Sequence, residues 1–512
     1  MNSQFARKES RIELYHNQLT NAQGIFSMRS FMDSFGLHAI ANNIDTPTTV
    51  LDFPTVNRFI REIKKGYDIV GIGAIVPNFQ KVKYMVELIR EHSPRSKVVL
   101  GGFCAAIPDI EKLLDVDHVC IGEGISFMRE LLGMPPEFDF KNPDVFHRIR
   151  EILGVPFFGA DVSLIVVGLG CSYGCDFCSP SHFFGRRHIR FLKSGQDLFN
   201  EVERVTDRYH SDNIGFIGDD NFLLDLDRAE EFRECVIKSG KLFNFFIFGS
   251  ADRVKAFGAE RLAEMGVFLI WIGRESRFAD YGKNRETDIK SLVAELRSYG
   301  IKTILSSILL LDQHTPENII ADIDDHLSCR PAFSQFSFYS PLPGTPLFER
   351  MSAEKRILTA IPFEEWHAFK QPWFAHPRFN LKEAEKIQQY AYDRDFRELG
   401  PSLMRHLEVD YRGWAHMKDS TKPHLAARAR AMARRMPRYR QVLLAMNHLL
   451  PPGPGRDRTA RVLAEVEATF GRVTAADRAV ARGLYLTGRF REIRTRFFGD
   501  AIQPRTRVVH YN

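Results

Sequence analysis

The chain has 512 residues, 44% of them apolar, which is too long for one ordinary domain and enough for several cores. Its net charge of +6 is modest, no apolar run is long enough to span a bilayer, and "MNSQFARKESRIELYHNQ" lacks a signal-peptide core, so the cytoplasm is the expected compartment. Seven cysteines, an odd number in a long chain, argue against a disulfide framework and suit thiols kept for a metal.

Residues 1–140 read as a doubly wound, Rossmann-like α/β domain. "TTVLDF" (48–53) is a short strand. "YDIVGIG" (67–73), "KVVLGG" (97–102) and "HVCIGEG" (118–124) are apolar runs closing in glycine, and "FQKVKYMVELIREH" (79–92) and "ISFMRELL" have helical spacing. Buried strands that close in glycine and precede helices indicate a parallel sheet, whose ligands sit at the carboxyl ends of the strands. Gly71, Gly101, Gly102, Gly122 and Gly124 fall at those ends, where backbone can approach a large flat or phosphate-bearing ligand. "MPPEFDFKNPD" and "GVPFFGAD" mark a linker, placed at 141–160.

Residues 161–350 repeat the alternation six times. The expected strands are "SLIVVGL" (163–169), "NIGFIGD" (213–219), "FFIFGS" (245–250), "VFLIWIG" (267–273), "KTILSSILL" (302–310) and "FSQFSFYS" (333–340). Six units fall short of the eight in a full TIM barrel and predict a partial (βα)6 barrel with its site at the strand ends. Asp219 and Asp220, Ser250 and Asp252, Arg274, Glu275 and Ser276, and Tyr339 lie there.

Residues 351–512 read as helical. "PPGPG" (451–455) splits the region, and "DRTARVLAEVEATFG" and "TAADRAVARGLYLTG" are helices capped by Asp457 or Thr459 and by Thr474. "HLAARARAMARRMPRYRQ" and "RFREIRTRFF" are rich in arginine: either a solvated helix face or a surface for an anionic partner, such as a peripheral contact with phospholipid.

"VVGLGCSYGCDFCSPSHFFGRR" (166–187) holds Cys171, Cys175 and Cys178 as C-x3-C-x2-C. Structural zinc wants four ligands, often as two pairs, and Cys104, Cys120, Cys235 and Cys329 are isolated; only His182 or His188 could be a fourth. A [4Fe–4S] cube held by three thiolates leaves one iron open, which gives the shortage of a fourth thiol a purpose.

This motif, after the first strand of a βα barrel, resembles the signature of radical S-adenosylmethionine (SAM) enzymes. Phe177, just before the third cysteine, stands where that family usually has an aromatic residue. "GFIGDDNF" (215–222), "SADR" (250–253), "IGRES" (272–276) and "PLPGTPL" (341–347) resemble strand-end signatures of the subfamily with an N-terminal cobalamin (B12)-binding domain; "VVLGG" and "GEG" resemble that domain itself. The resemblance covers residues 30 to 350 and leaves the last third unexplained.

The resemblance implies a chemistry. The open iron is chelated by the amino and carboxylate groups of SAM, one electron breaks the sulfonium bond to C5′, and the 5′-deoxyadenosyl radical takes hydrogen from an unactivated carbon. In relatives with cobalamin, a methyl group then passes to the substrate radical. The expected function is thus C-methylation of a lipid, terpenoid or natural product, fed by an electron donor such as flavodoxin or ferredoxin, with no nucleic acid. Cyclisation, carbon–carbon coupling or oxidation are the alternatives; a non-catalytic metal-binding scaffold is the remote one. By the same resemblance, Phe177, Asp219, Asp220, Ser250, Asp252, Arg274, Glu275 and Ser276 surround SAM. Gly71, Pro77, Asn78, Gly101, Gly102, Gly122, Glu123 and Gly124 seat cobalamin, and Tyr339 walls the substrate cavity. Structural roles compete: capping for Asp219 and Asp220, mutual pairing for Arg274 and Glu275, core packing for Tyr339, and plain burial for Cys104 and Cys120. No D-x-H-x-x-G occurs, since His118 follows Asp117 directly. Either cobalamin meets the loop "IVPNF" (75–79) without a histidine ligand or the domain binds none.

Overall fold

The computed structural model describes residues 29–32, 34–152, 155–156, 161–209, 213–214, 216–369, 371–498 and 506–512. Most of "GVPFFGAD" and Gly215 lie outside them.

β1 (Arg29–Met32) and β2 (Thr48–Asp52) precede a parallel sheet of β3 (Ile69–Gly73), β4 (Lys97–Gly101) and β5 (His118–Val119), in that order. In β3, Val70 and Ile72 are buried and their neighbours half-buried, the period of two that a pleated strand imposes. They pack with Phe59 and Ile63 of helix Val56–Ile63 and with Val82, Met85, Val86 and Ile89 of helix Phe79–His92. The first helix starts where Thr55 accepts from Arg58 N at 3.3 Å.

Two expectations need correction. The last third is not helical throughout: it ends in a strand, Arg507–Tyr511, that pairs antiparallel with β2 of the N-terminal domain. Buried His38 fastens that strand, with 2.7 Å contacts to Asp52 and to the Tyr511 hydroxyl. The expected linker is also a strand, β6 (Val145–Ile152), antiparallel to β1 and to β7 (Asp161–Val166). Val145 lies opposite Leu164, and the two pack with Val166 in a small core of their own.

β7 lies in the sheet of β1 and β6, which β8 (Phe216–Gly218) extends on its other side. Asn213–Ile214, β9 (Asn244–Phe248), β10 (Val267–Glu275), β11 (Lys302–Leu309) and β12 (Phe333–Phe338) form a separate sheet in chain order; the β7–β8 pairing and all those of the second sheet are parallel. β8 pairs with β7, and Asn213–Ile214 pairs with β9. Helices return between the strands and bury Leu198 and Val202, Phe232 and Val236, and Leu292 and Leu296 in one core with the strands.

The C-terminal helices close the amino ends of these strands. Helix Ser402–Met417 crosses so near that a Cβ on Gly413 would lie 2.4 Å from Gly300 Cα. Lys302, which starts β11, pairs with Asp410, and Asp410 also accepts from Tyr439 at 2.5 Å. Part of the basic tail is therefore interior. Arg405 pairs with Asp395 at 2.7 Å, Arg428 donates to Phe243 O at 2.9 Å, Arg440 to Phe470 O at 3.0 Å and Arg458 to Glu408 at 2.6 Å, all four buried. One helix begins earlier than its expected caps, at Pro454, because proline suits a first helical position; Thr459 lies inside it. Thr474 caps the last helix, accepting from Asp477 N at 3.1 Å. No described helix is long and apolar enough to cross a membrane.

Candidate functional site

The cysteine loop leaves the sheet after Gly168–Leu169 and is tied to four of the other strand ends. Within it, Ser181 Oγ donates to Cys171 O at 2.6 Å and accepts from Gly174 N at 3.1 Å. Asn221, past β8, holds its Nδ2 4.0 Å from Cys171 Sγ and 3.1 Å from Ser250 Oγ. Tyr173 donates to Asp252, past β9. Asp176 accepts from Tyr281, past β10, at 3.0 Å and from Tyr339, past β12, at 2.5 Å. The Phe177 ring lies 5.2 Å from Tyr281 and 6.3 Å from Tyr339, with Lys283 Nζ 5.8 Å from its centre. Lys283 in turn pairs with Glu275.

The three thiols are free and half-buried. Burial raises each of them, Cys178 to about 12, while Lys283 opposes the rise and neighbouring thiols reinforce it at Cys175 and Cys178. Thiols that feel one another and a buried cation suit a shared guest that takes them as thiolates. Among the described residues, no three His, Cys, Asp or Glu side chains gather closely enough for a single ion. His182 lies 3.1 Å from Cys175 O and His188 3.0 Å from Asp219, so both histidines offered as a fourth zinc ligand are engaged elsewhere. The wider reach of a cube bound by three thiolates fits this loop better than mononuclear zinc.

The candidate SAM residues divide. Asp219 is buried and committed: it accepts from Arg228 at 2.9 Å and from Asn221 N and His188 at 3.0 Å. Burial works to raise its pKa, but His188 and Arg228 hold it below the ordinary value. Asp220 accepts from Gly170 N at 2.6 Å; burial and the neighbouring Asp219 charge push it up to about 6. Arg274 and Glu275 do not pair with each other. Arg274 donates to Asp322 at 2.7 Å, to Asp325 and to Ser307 at 2.9 Å, whereas Glu275 holds Lys283. Ser276 lies 3.3 Å from His314. Tyr339 is buried, its hydroxyl on Asp176.

In the N-terminal sheet, Gly102 is a structural necessity. Its φ is +77°, and a Cβ there would stand 2.5 Å from Ala74 O. Gly71 and Gly101 face open ground, with nothing and only Cys120 Cβ at 3.8 Å in reach of an added Cβ. A Cβ at Gly124 would strike Ile40 at 2.8 Å. Glu123 caps helix Gly124–Leu131 through Ile125 N and Ser126 N. Pro77 and Asn78 are buried in a turn beside Phe79, whose ring packs on Phe363 at 5.1 Å. This strand-end surface faces the cysteine segment. A Cβ at Gly122 would meet Phe183 O at 3.7 Å, the Phe103 and Phe183 rings stand 5.0 Å apart, and Gly344 approaches Ala106.

The residues missed from sequence are Tyr173, Asp176, Asn221, Tyr281 and Lys283. The first two lie within the cysteine motif and could have been suspected from position; Tyr281 and Lys283 lie in an irregular loop with no motif.

The sequence profile of the radical SAM superfamily matches residues 165–326, the cysteine loop and strands β8 to β11 among them. Residues 165–326 of the chain are thus a radical SAM domain. An uncharacterized methyltransferase of Pyrococcus horikoshii is 25% identical over 391 residues, 68% of this chain and 82% of the relative. Bacteriochlorophyllide d C-12(1)-methyltransferase of Chlorobaculum tepidum is 25% identical over 378 residues, 68% and 78%. Anaerobic magnesium-protoporphyrin IX monomethyl ester cyclase of Cereibacter sphaeroides is 23% identical over 368 residues, 61% and 58%. The radical SAM domain takes a [4Fe–4S] cluster and SAM, and the chain is an enzyme.

Proposed function

We propose that this radical SAM enzyme is a cobalamin-dependent C-methyltransferase acting on an unactivated carbon of a lipid, terpenoid or other natural product. The observation that carries the reading is the meeting of two ligand-binding ends. The glycine ends of β4 and β5 face helix Ser179–Phe183, which leads directly out of the cysteine loop. A second group seated on open Gly71, Gly101 and Gly122 would look onto the chamber that the thiols border.

Cys171, Cys175 and Cys178 hold the cluster in this reading. When bound, cluster, SAM and cobalamin supply radical formation and the methyl group. The chain's own residues bind and orient. Asp220, a carboxylate without a cationic partner among the described contacts, receives a cation such as the SAM ammonium. Ser250, Asn221 and the Asp252–Tyr173 pair fix the loop against β8 and β9. Phe177, Tyr281 and Tyr339 wall the chamber and exclude water around Asp176. Asp219, Arg274, Ser276 and Glu123 are supports for the site, and Pro77 and Asn78 back the cobalamin seat.

The cyclase of Cereibacter sphaeroides keeps a second reading open, radical cyclisation without methyl transfer. Anaerobic reconstitution with cobalamin, a reductant such as reduced flavodoxin, and candidate substrates separates the two. Methyl transfer yields 5′-deoxyadenosine and S-adenosylhomocysteine in comparable amounts, because one SAM makes the radical and another resupplies the methyl. 5′-Deoxyadenosine with essentially no S-adenosylhomocysteine, or mass spectra of the loaded protein without cobalamin, would overturn the methyltransferase reading.

A further inference from the structure

Among the described residues, helix Ala475–Phe498 is attached through one face. Asp477 accepts from Gln441 at 2.9 Å and lies 3.3 Å from Arg440, tying the first turn to helix Met436–Leu449. Asp477, Ala481 and Gly488 are buried. At about 100° per residue these three share one side of the helix. Leu486, Phe490, Ile493 and Phe497 fall on the opposite side and are 58%, 68%, 53% and 73% exposed. Their spacing of four, three and four residues makes a continuous apolar stripe that no core of the described residues takes in.

The charge beside the stripe is of one sign. Arg478, Arg482, Arg489, Arg491, Arg494 and Arg496 occupy this helix from 478 onward, with Glu492 as its sole acid there. On a helical wheel the arginine positions fall on both flanks of the stripe. We propose that this helix is a membrane-surface anchor, its stripe lying in the headgroup–acyl boundary of an anionic phospholipid face and its arginines at the phosphate level. The occupant follows from charge complementarity: two copies of the same stripe would bring like-charged flanks together, whereas an anionic lipid face satisfies stripe and flanks at once. The helix lies on the membrane rather than through it, since it is too polar to cross. This inference is independent of the proposed methyl transfer.

The test uses the full chain without added cofactors and vesicles of phosphatidylcholine, with or without one-third phosphatidylglycerol. The protein should float with the anionic vesicles, bind neutral ones about tenfold less, and lose binding as salt is raised. F490D/F497D should remain with the soluble fraction, about tenfold or more weakened, with unchanged circular dichroism and melting. F490A/F497A should be intermediate and guards against a folding artefact of the aspartates. The proposal is overturned if the intact chain does not float or if F490D/F497D floats as well as the parent. It is equally overturned if the intact chain is a dimer that the variant dissolves, or if duplex DNA competes the vesicles away.

Discussion

Asp410 packs at the amino end of β11 and Asp220 follows the carboxyl end of β8, and the pKa values of these two aspartates move in opposite directions. At the amino ends burial works to raise Asp410, but Lys302 and His406 beside it and a hydrogen bond from Tyr439 hold it at about 2. At the carboxyl ends burial and the Asp219 charge push Asp220 up to about 6, opposed only by Gly170 N–H and distant His188. The amino-end site has closed its charges on one another; the carboxyl-end site keeps a carboxylate and three thiols without the counter-groups that would finish them. Burial of a polar group therefore does not mark a site by itself. An incomplete set of partners, next to a family motif, does.

Removing a thiol should break that contrast most completely. Cys171→Ala, Cys175→Ala or Cys178→Ala should each abolish the charge-transfer absorbance and the iron content of the reconstituted cluster, together with 5′-deoxyadenosine formation. Melting of the unloaded protein should change little, since these side chains are half-exposed and no described core depends on them. A variant that kept full iron content would end the assignment. The amino end should behave in the reverse way. Lys302→Met leaves Asp410 buried without its cation and should cost about 3–5 kcal/mol by denaturant unfolding. The folded fraction should still load its full cluster.

A smaller effect sharpens the comparison within the N-terminal sheet. Gly102→Ala should cost at least about 1–3 kcal/mol, because φ is +77° and Ala74 O blocks the new Cβ. Gly101→Ala meets only Cys120 Cβ and should be nearly neutral for unfolding. If cobalamin occupies this surface, bulk at Gly101 should exclude it while cluster loading is kept. Loss of cobalamin binding in Gly102 variants would not discriminate, since the sheet itself would be disturbed.

The parts legible in sequence were those whose cause is local. Apolar runs with glycine ends produced β3, β4 and β5, and β9 to β12 lie within two residues of their expected starts and ends, whereas β7 ends three residues before its expected end and the strand expected from 213 is split into Asn213–Ile214 and β8. The C-x3-C-x2-C spacing located the loop that Asn221, Asp252, Tyr281 and Tyr339 now touch. What could not be read depends on distant partners. β2 is short and regular, yet its mate is 459 residues away at the other end of the chain, Val508 opposite Leu51 and Val509 opposite Val50 among the pairs. Arg274 and Glu275 are adjacent, and adjacency suggested a pair; the strand register shifts between Gly273 and Glu275 and Glu275 takes φ +62°, and the two side chains meet different partners, Asp322 and Lys283. Arginines in the tail looked like surface because carbonyl acceptors such as Phe243 O leave no mark in a sequence.

The smallest expected effect tests the aspartates against each other through pH. A carboxyl held near 2 when folded, against 3.8 in the ordinary state, binds its proton more weakly in the native protein. Stability from Asp410 is therefore present above about pH 4 and is lost as pH falls toward 2. A carboxyl raised to about 6 does the opposite: Asp220 in the unloaded protein contributes stability below about pH 4, and that contribution is lost as pH rises through 6. Asp410→Asn should accordingly flatten the acid limb of an unfolding-versus-pH profile, and Asp220→Asn should flatten the fall between about pH 4 and 6. At pH 7 the second variant should be more stable than the parent, on the order of 1–2 kcal/mol after discounting for solvent around a half-buried group. The gain should shrink when SAM is added to the cluster-loaded protein, because a cation beside Asp220 stabilises the carboxylate that the asparagine lacks. An Asp220→Asn protein that is less stable than the parent at pH 7, or whose advantage ignores SAM, would show that this carboxylate is closed on itself as Asp410 is.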